Sequence, residues 1–229
     1  MSTLTPLQLT GCDDSHLVDT SCGHRMQADA ARAYARLYSD ASMAGFQLAI
    51  ASSYRSFDRQ RVIWNGKACG DRPVHDDLGD ILAMADLSVV EQLHAILRFS
   101  ALPATSRHHW GTDVDIYDAA AVEASYRVQL TPQEVAADGV FDRLHCWLDG
   151  QIAAGKSHGF YRPYALDTGG VAPERWHLSY KPVAADCAGQ LSAQMIRECW
   201  NSCEQDLLLR AELDARLPEI IERYVKVAQ

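Results

Sequence analysis

The chain has 229 residues, of which 48% are hydrophobic and 22% are charged. This composition is ordinary for a globular protein with one domain, or one domain and an appendage, and it excludes disordered, collagen-like and multi-span membrane chains. With 30 acidic and 21 basic residues the net charge is −9, so there is no electrostatic reason to bind nucleic acid or an anionic lipid surface. No apolar run reaches the roughly 18 residues of a membrane span.

The first half of the chain predicts helices separated by one strand and a long loop. Apolar residues at helical spacing, Ser caps and Gly or Pro stops mark the boundaries. The predicted elements are a helix at 26–44, a buried strand at 46–52, a helix at 56–66 that begins after Ser56 and ends at Gly66, a loop at 67–87 and a helix at 87–100.

The second half predicts short strands and a helical end. The elements are a turn and strand at 105–118, a capped helical turn at 131–138, a helix at 141–155, strands at 159–166 and 174–182, and helices from 185 onward, the last beginning at Pro218. Because strands and helices do not alternate regularly, the predicted fold class is α+β.

Two sequence motifs are rejected on their context. Residues 150–157, GQIAAGKS, match a phosphate-binding loop, and residues 155–159 match the G-x-S-x-G elbow of hydrolases. Both motifs need a strand before them and a helix after them, whereas here the helix comes first and Pro163 follows. We therefore interpret this segment as the end of a helix capped by Gly155, and expect no nucleotide binding.

Seven cysteines cannot all pair within one chain. The first residues lack a basic segment and a continuous apolar segment, so they do not resemble a secretory signal. We therefore expect most cysteines to be reduced. Cys199 and Cys203 lie one helical turn apart, but a structural metal site needs a second pair of ligands. The compartment stays open between the cytoplasm and export by another route.

A turn followed by a strand can bring an imidazole and a carboxylate together. His108 precedes the turn at Trp110-Gly111, and Asp115 lies on the strand that leaves it. Asp113 shares a face with Asp115, because side chains alternate along a strand.

A second segment supplies Glu174 and His177. In an ideal strand these two would face opposite sides, so Glu174 is expected in the loop that enters the strand. Two His and one Asp leave the fourth position of a tetrahedral zinc ion to water, as in catalytic zinc sites. A carboxylate that does not bind the metal is then needed to move the proton of that water.

Arg55 stands at a strand-to-helix junction, within the sequence SSYRS. A guanidinium there can hold a carboxylate or steady an oxyanion. The alternative is an ordinary surface ion pair, which is common and weak.

Together these segments resemble the D-alanyl-D-alanine carboxypeptidase (VanY-type) branch of the M15 zinc peptidases. The matching motifs are Ser52-Ser53-Tyr54-Arg55-Ser56 with Gln60, then Ser106-x-His108-x-x-Gly111-x-x-x-Asp115, then Glu174-x-x-His177. The three motifs occur in the family's order and span about residues 30 to 182.

The resemblance implies a role for each matched residue. It implies zinc (Zn²⁺) bound by His108, Asp115 and His177, with Glu174 as the general base and acid acting on the water that zinc activates. Arg55 would bind substrate or stabilise the oxyanion, and the pocket would include Ser106 at the substrate carboxylate, Gln60 and Ser53.

The resemblance also implies a small antiparallel sheet that carries the metal, as in D,D-dipeptidases and the hedgehog signalling domain. We expect a catalytic domain at 1–184 and a helical C-terminal extension at 185–229 packed on it. The implied reaction is removal of the terminal D-Ala from a small peptidoglycan-type peptide in bacterial cell-wall metabolism. The alternatives are an L,D-carboxypeptidase, a D,D-dipeptidase, an endopeptidase, or a non-catalytic zinc-binding module. The oligomeric state is not predicted.

Two residues depart from the family pattern. Asp113 replaces the alanine found two residues before the metal-binding Asp, and Ser53 replaces a glycine. A second carboxylate at 113 is either a hydrogen-bond partner of a ligand imidazole or an alternative ligand.

Overall fold

The computed structural model describes residues 4–226, and its centre is a four-stranded antiparallel sheet. Its strands are β3 (Leu48–Ser52), β4 (Asp113–Asp118), β5 (Phe160–Tyr161) and β6 (His177–Tyr180), and they lie in the order β3-β4-β6-β5. A separate hairpin pairs β1 (Leu17–Asp19) with β2 (Arg25–Gln27). The small antiparallel sheet flanked by helices confirms the predicted α+β class.

The helices surround this sheet. They are α1 (Pro6–Leu9), α2 (Ala28–Met43), α3 (Phe57–Ala68), α4 (Val89–Phe99), α5 (Pro132–Val135), α6 (Asp142–Ala153), α7 (Lys181–Gln190), α8 (Ala193–Ser202) and α9 (Arg210–Ile220). Short 3-10 turns cover Met84–Asp86, Arg107–Trp110 and Ala119–Ala121, and a π-helical turn covers Ile221–Val225. Among the described helices, none is both long and apolar enough to cross a membrane.

Two of the hydrophobic cores among residues 4–226 join the sheet and most of the helices. The first lies between the sheet and helices α2 and α6, where Leu37, Ile116 and Leu148 are fully buried. The second joins α3 and α4 to the C-terminal helices, through residues such as Trp64 and Leu217. The C-terminal helices therefore share a core with the part of the chain that precedes the sheet's central strand.

Several boundaries differ from the sequence prediction. The strands predicted at 159–166 and 174–182 are only two and four residues long, and α7 begins at Lys181, because Pro182 fits the first turn of a helix. Gly66 lies inside α3 rather than at its end.

The prediction that the last helix begins at Pro218 is wrong, because Pro218 lies inside α9. A proline within a helix leaves the carbonyl four residues earlier without its usual donor. Here that carbonyl belongs to Asp214, and the Arg197 guanidinium donates to it at 3.2 Å. A side chain from α8 thus satisfies the bond that the proline removes.

Residues 150–157 do not have the strand-then-helix context that a phosphate-binding loop needs. Helix α6 ends just before Gly155, which adopts φ +67°, and the Lys156 amide donates to the carbonyl of Gln151. In the described segment that follows, residues 157–180, no helix begins whose N-terminus could face a phosphate.

Candidate metal centre

Three side chains from two distant segments of the sequence meet at one end of the sheet. The ligand atoms of His108, Asp115 and His177 all lie within 4.8 Å of one another, and all three residues are buried. Asp115 on β4 pairs directly with His177 at the start of β6, and with Ser52 at an irregularity in β3. The antiparallel register therefore brings the two strand residues together.

His108 is held by the chain that leaves β3. Its Nδ1 donates to the carbonyl of Ser53 at 2.8 Å, and the Arg55 amide donates to the His108 carbonyl at 3.2 Å. Because a carbonyl only accepts, the proton of the imidazole is at Nδ1 and the lone pair is at Nε2. That Nε2 lies 3.3 Å from Oδ2 of Asp115.

Gly111 makes the turn between His108 and β4 possible. It has φ +68°, and a Cβ at this position would lie 2.3 Å from a methyl group of Leu17 and 2.8 Å from the amide nitrogen of Gln27. The left-handed backbone and the close approach of the β1–β2 hairpin together require glycine.

His177 has its two ring nitrogens in different roles. Nε2 donates to Oδ1 of Asp113 at 2.9 Å, which leaves Nδ1 facing Oδ1 of Asp115 at 3.2 Å. Burial alone would lower the pKa of His177, but the carboxylates of Asp113 and Asp115 raise it to about 10. These carboxylates favour a positive charge at the position that Nδ1 faces.

Asp113 accepts a hydrogen bond from His177 and is not one of the three residues of the cluster. It is completely buried, and its Oδ1 also accepts from Nε of Arg107 at 2.9 Å. Burial alone would raise the pKa of Asp113, but Arg107 and His177 lower it below its usual range. Of the two roles considered from the sequence, this geometry favours a hydrogen-bond partner of the His177 imidazole over an alternative ligand.

The donor set fits a zinc ion. Oδ1 of Asp115 is buried and makes no hydrogen bond with any described residue, although it faces His177. A buried carboxylate oxygen without a partner is costly. Two imidazole nitrogens and one carboxylate are typical of catalytic zinc sites, in which a fourth position stays open.

Glu174 lies beside this cluster because the chain turns before β6. The His177 amide donates to the Glu174 carbonyl at 3.2 Å, and the Glu174 amide donates to the Tyr164 carbonyl at 3.0 Å. This turn, which the sequence analysis anticipated, puts Oε2 of Glu174 3.5 Å from Nδ1 of His177. Burial raises the pKa of Glu174 to about 7, so its carboxyl can both take and give a proton near neutral pH.

Arg55 faces the same cleft. Its guanidinium donates to Oε1 of Gln60 at 2.8 Å and to the Ser52 hydroxyl at 3.1 Å. Among residues 4–226 it forms no ion pair with an acidic side chain, which is contrary to the surface-pair alternative.

Gln60 and Ser53 lie behind the cleft rather than in its wall. The Gln60 amide is fully buried and donates to the Ala101 carbonyl at 2.6 Å, while its oxygen accepts from Arg55. The Ser53 hydroxyl contacts Nδ1 of His24 at 3.2 Å, and its carbonyl holds His108. Both residues therefore contact groups of the site instead of the open space.

A cleft of about 340 Å³ opens onto the cluster, and Ser106 lies in its wall. Two further wall residues were not identified from the sequence. Lys67, on α3, donates to the Ser100 hydroxyl at 2.6 Å, and burial lowers its pKa to about 8. Tyr164 stacks edge-on against His177 with ring centres 5.1 Å apart. No motif marks either residue, since each depends on how distant elements pack.

Curated relatives include two uncharacterized proteins of Haemophilus influenzae. One is 45% identical over 103 residues, which are 43% of this chain and 70% of the relative. The other is 32% identical over 126 residues, which are 54% of this chain and 92% of the relative.

Two solved structures of VanY proteins share the fold. VanYB in complex with D-alanine-D-alanine is 22% identical with a TM-score of 0.51, covering 82% of this chain and 89% of that one. A mutant of the vancomycin-resistance D,D-pentapeptidase VanY in complex with Zn(II) is 24% identical with a TM-score of 0.50, covering 74% and 80%. A family model described as VanY, D-alanyl-D-alanine carboxypeptidase, matches residues 23–183. Because this match spans well over half of the chain, the protein belongs to the VanY D-alanyl-D-alanine carboxypeptidase family.

Proposed function

We propose that this protein is a zinc-dependent carboxypeptidase that removes the terminal D-Ala from peptidoglycan-type peptides. The observation that carries the proposal is the cluster of His108, Asp115 and His177, with the buried Glu174 beside it, in the wall of a cleft. Membership of the VanY family and the D-alanine-D-alanine bound to VanYB support the substrate class. A role in cell-wall metabolism follows from that substrate.

The metal would be held by Nε2 of His108, a carboxylate oxygen of Asp115 and Nδ1 of His177. The two other imidazole nitrogens donate to Ser53 and Asp113, which keeps these lone pairs directed at the cluster. Zinc bound there lowers the pKa of a water molecule to about 7 and polarises the carbonyl of a peptide.

Glu174 moves the proton. Its carboxylate takes a proton from the attacking water and then donates it to the nitrogen of the departing D-Ala, so that the leaving group is a neutral amine. The pKa of about 7 is suited to both steps, since neither protonation state is strongly disfavoured at neutral pH.

The cations of the cleft recognise negative charge on the substrate. Arg55, fixed by Gln60, would stabilise the oxyanion that develops on the scissile carbonyl. The Ser106 hydroxyl, which has no side-chain partner among residues 4–226, would donate to the terminal carboxylate. Lys67 supplies a positive charge in the same wall, and it forms no ion pair with a described carboxylate.

We further propose that residues 185–229 are an integral cap of the catalytic unit at 1–184. Helices α8 and α9 bury Trp200 and Leu217 in the core that contains α3 and α4. The turn after α9 contributes Tyr224 and Val225 to the wall of the cleft. Removing the extension would therefore open both the core and the cleft.

The test is the variant Glu174→Gln, with Glu123→Gln at an exposed position as its control. We expect Glu174→Gln to bind one zinc per chain and to lose about 10²- to 10⁴-fold in rate, while Glu123→Gln keeps the wild-type rate. A Glu174→Gln protein that turns over at the wild-type rate would refute the assignment.

Mass analysis of the products identifies the reaction. A muropeptide that ends in D-Ala-D-Ala should lose one residue. Release of a dipeptide, an internal cut, or cleavage only of peptides with an L-residue before the terminal D-Ala would instead assign the dipeptidase, endopeptidase or L,D-carboxypeptidase alternative.

A further inference from the structure

Two cysteines from opposite ends of the chain are in contact. Cys12 lies in the loop after α1 and Cys199 lies in α8, and their sulfur atoms are 3.2 Å apart. Both residues lie outside the part of the chain that matches the VanY family model. A disulfide has an S–S length of about 2.05 Å, so the two sulfurs need to approach by only about 1 Å.

We propose that Cys12 and Cys199 are a disulfide-forming pair, which oxidation by a small-molecule disulfide converts into a covalent link between the N-terminal loop and the C-terminal helices. We expect most of the seven cysteines to be reduced, and only Cys12 and Cys199 to form this link. Of the other cysteines, Cys22 contacts the Thr20 hydroxyl and Cys146 contacts Asp142 and Arg175.

The surroundings of the two sulfurs favour this reaction. An open groove lined by Cys12, Cys199 and Cys203 gives an oxidant access to the pair, and Cys12 is exposed whereas Cys199 is buried. The hydrogen bond from the Cys199 thiol lowers the pKa of Cys12 to about 7. Cys12 is therefore the thiol that carries the larger share of thiolate at neutral pH and attacks first.

The reaction balances with one equivalent of a small disulfide, RSSR. The Cys12 thiolate attacks one sulfur of RSSR, forms a mixed disulfide and releases RS⁻. The Cys199 thiol then gives its proton to RS⁻ or water and attacks the sulfur of Cys12, which releases the second RS⁻. Two protein thiols are oxidised by two electrons, and RSSR is reduced to two RSH.

The link would connect two anchored parts of the fold. The loop of Cys12 is fixed by Gly11, whose carbonyl accepts from the Phe57 amide at 2.8 Å at the start of α3. Helix α8 is fixed by Trp200, whose indole donates to the Pro103 carbonyl at 2.9 Å. The new bond would close a loop between residues 187 apart in sequence, and so restrict the unfolded chain strongly.

The test oxidises the full-length, zinc-loaded protein with oxidised glutathione at pH 8, followed by alkylation and peptide mapping without reductant. Trypsin leaves Cys12 with Cys22 in residues 1–25, and Cys199 with Cys203 in residues 198–210. The variants Cys22→Ser and Cys203→Ser are therefore mapped in parallel, because they identify the linked sulfurs. We expect a link between these two peptides that survives in both variants, and a loss of two of the seven free thiols.

A second readout is the Tm. Oxidation should raise the Tm of the wild type by about 4 to 16 °C, and should not raise it in Cys12→Ser or Cys199→Ser. The proposal is overturned if the peptides stay unlinked after oxidation, or if Cys22→Ser or Cys203→Ser abolishes the link. It is also overturned if oxidation raises the Tm of Cys12→Ser as much as that of the wild type. Cys12→Ser changes an exposed residue, so its folding can be checked independently of the buried Cys199.

Discussion

The buried pair of Arg107 and Asp113 gives the sharpest test of how the site is built. Arg107 donates to Asp113 at 2.9 Å, to the Ser179 hydroxyl at 2.7 Å and to the Tyr161 hydroxyl at 3.0 Å, and it stacks on Trp110. The side chain of Arg107 is 5% exposed and that of Asp113 is not exposed at all. Arg107→Met should leave the buried Asp113 carboxylate with only the His177 imidazole beside it, at a cost of about 3 to 5 kcal/mol.

For a chain of this length, that loss corresponds to a decrease in Tm of about 6 to 20 °C. The double variant Arg107→Met with Asp113→Ala removes both charges and restores the alanine of the family motif. We expect it to be more stable than Arg107→Met, because a neutral core costs less than one unpaired charge.

The assay is urea unfolding of metal-free wild type, both single variants and the double variant, which completes a double-mutant cycle. Removing one partner of a buried ion pair is expected to cost about 3 to 5 kcal/mol. The reasoning is therefore refuted if Arg107→Met lowers the free energy of unfolding by less than about 1 kcal/mol. It is also refuted if the two single effects simply add, because additivity would mean that the two side chains do not interact.

Three further predictions concern the turn, the cleft and the metal. Gly111→Ala should lose at least about 1 to 3 kcal/mol of unfolding free energy, since its Cβ would lie 2.3 Å from Leu17; an unchanged urea midpoint would contradict this. Burial lowers the pKa of Lys67 to about 8, so kcat/KM should fall as pH rises through 8 and the ammonium loses its proton. Lys67→Arg should move this fall to higher pH. Identical pH profiles of the wild type and the variant would exclude Lys67 from substrate binding. Zinc at about 100 times its Kd should stabilise the protein by about 2.7 kcal/mol in thermal melts, and Asp115→Ala should remove this gain if Asp115 is a ligand.

Local sequence patterns predicted the long helices and the central strand well. The helix predicted at 26–44 is α2, and the helix predicted at 87–100 is α4, whose Ser88 and Glu91 form a capping box. Both have an apolar stripe at helical spacing, which is the most reliable local signal. The β1–β2 hairpin has only three residues in each strand and was not anticipated.

The errors came where tertiary contacts override a local rule. Pro218 looked like a helix start, because proline is favoured in the first turn and disfavoured inside. Arg197 on α8 satisfies the carbonyl of Asp214 that Pro218 leaves free, so the helix continues. No local pattern in 210–225 carries that information, since the compensating donor lies on another helix.

The site could be inferred from the sequence only in part. Spacing placed Asp113 and Asp115 on one face of a strand, and both carboxylates do contact His177. The sequence left open whether Asp113 is a ligand or a partner, because the answer depends on Arg107 lying beneath it. Lys67 was not identified, since its approach to the cleft depends on how α3 packs.

The segment around Arg55, between β3 and α3, connects the core under the sheet to the core of the C-terminal helices. The proposed ligands His108, Asp115 and His177 belong to the sheet and its turn, whereas Lys67 belongs to α3, which packs on the C-terminal helices. The backbone of Arg55, just before α3, connects α3 to the turn of His108. Its amide donates to the His108 carbonyl, and its carbonyl accepts from Nδ1 of His109 at 2.6 Å. Metal affinity should therefore depend mainly on the sheet, while substrate affinity should depend also on how the C-terminal helices hold α3.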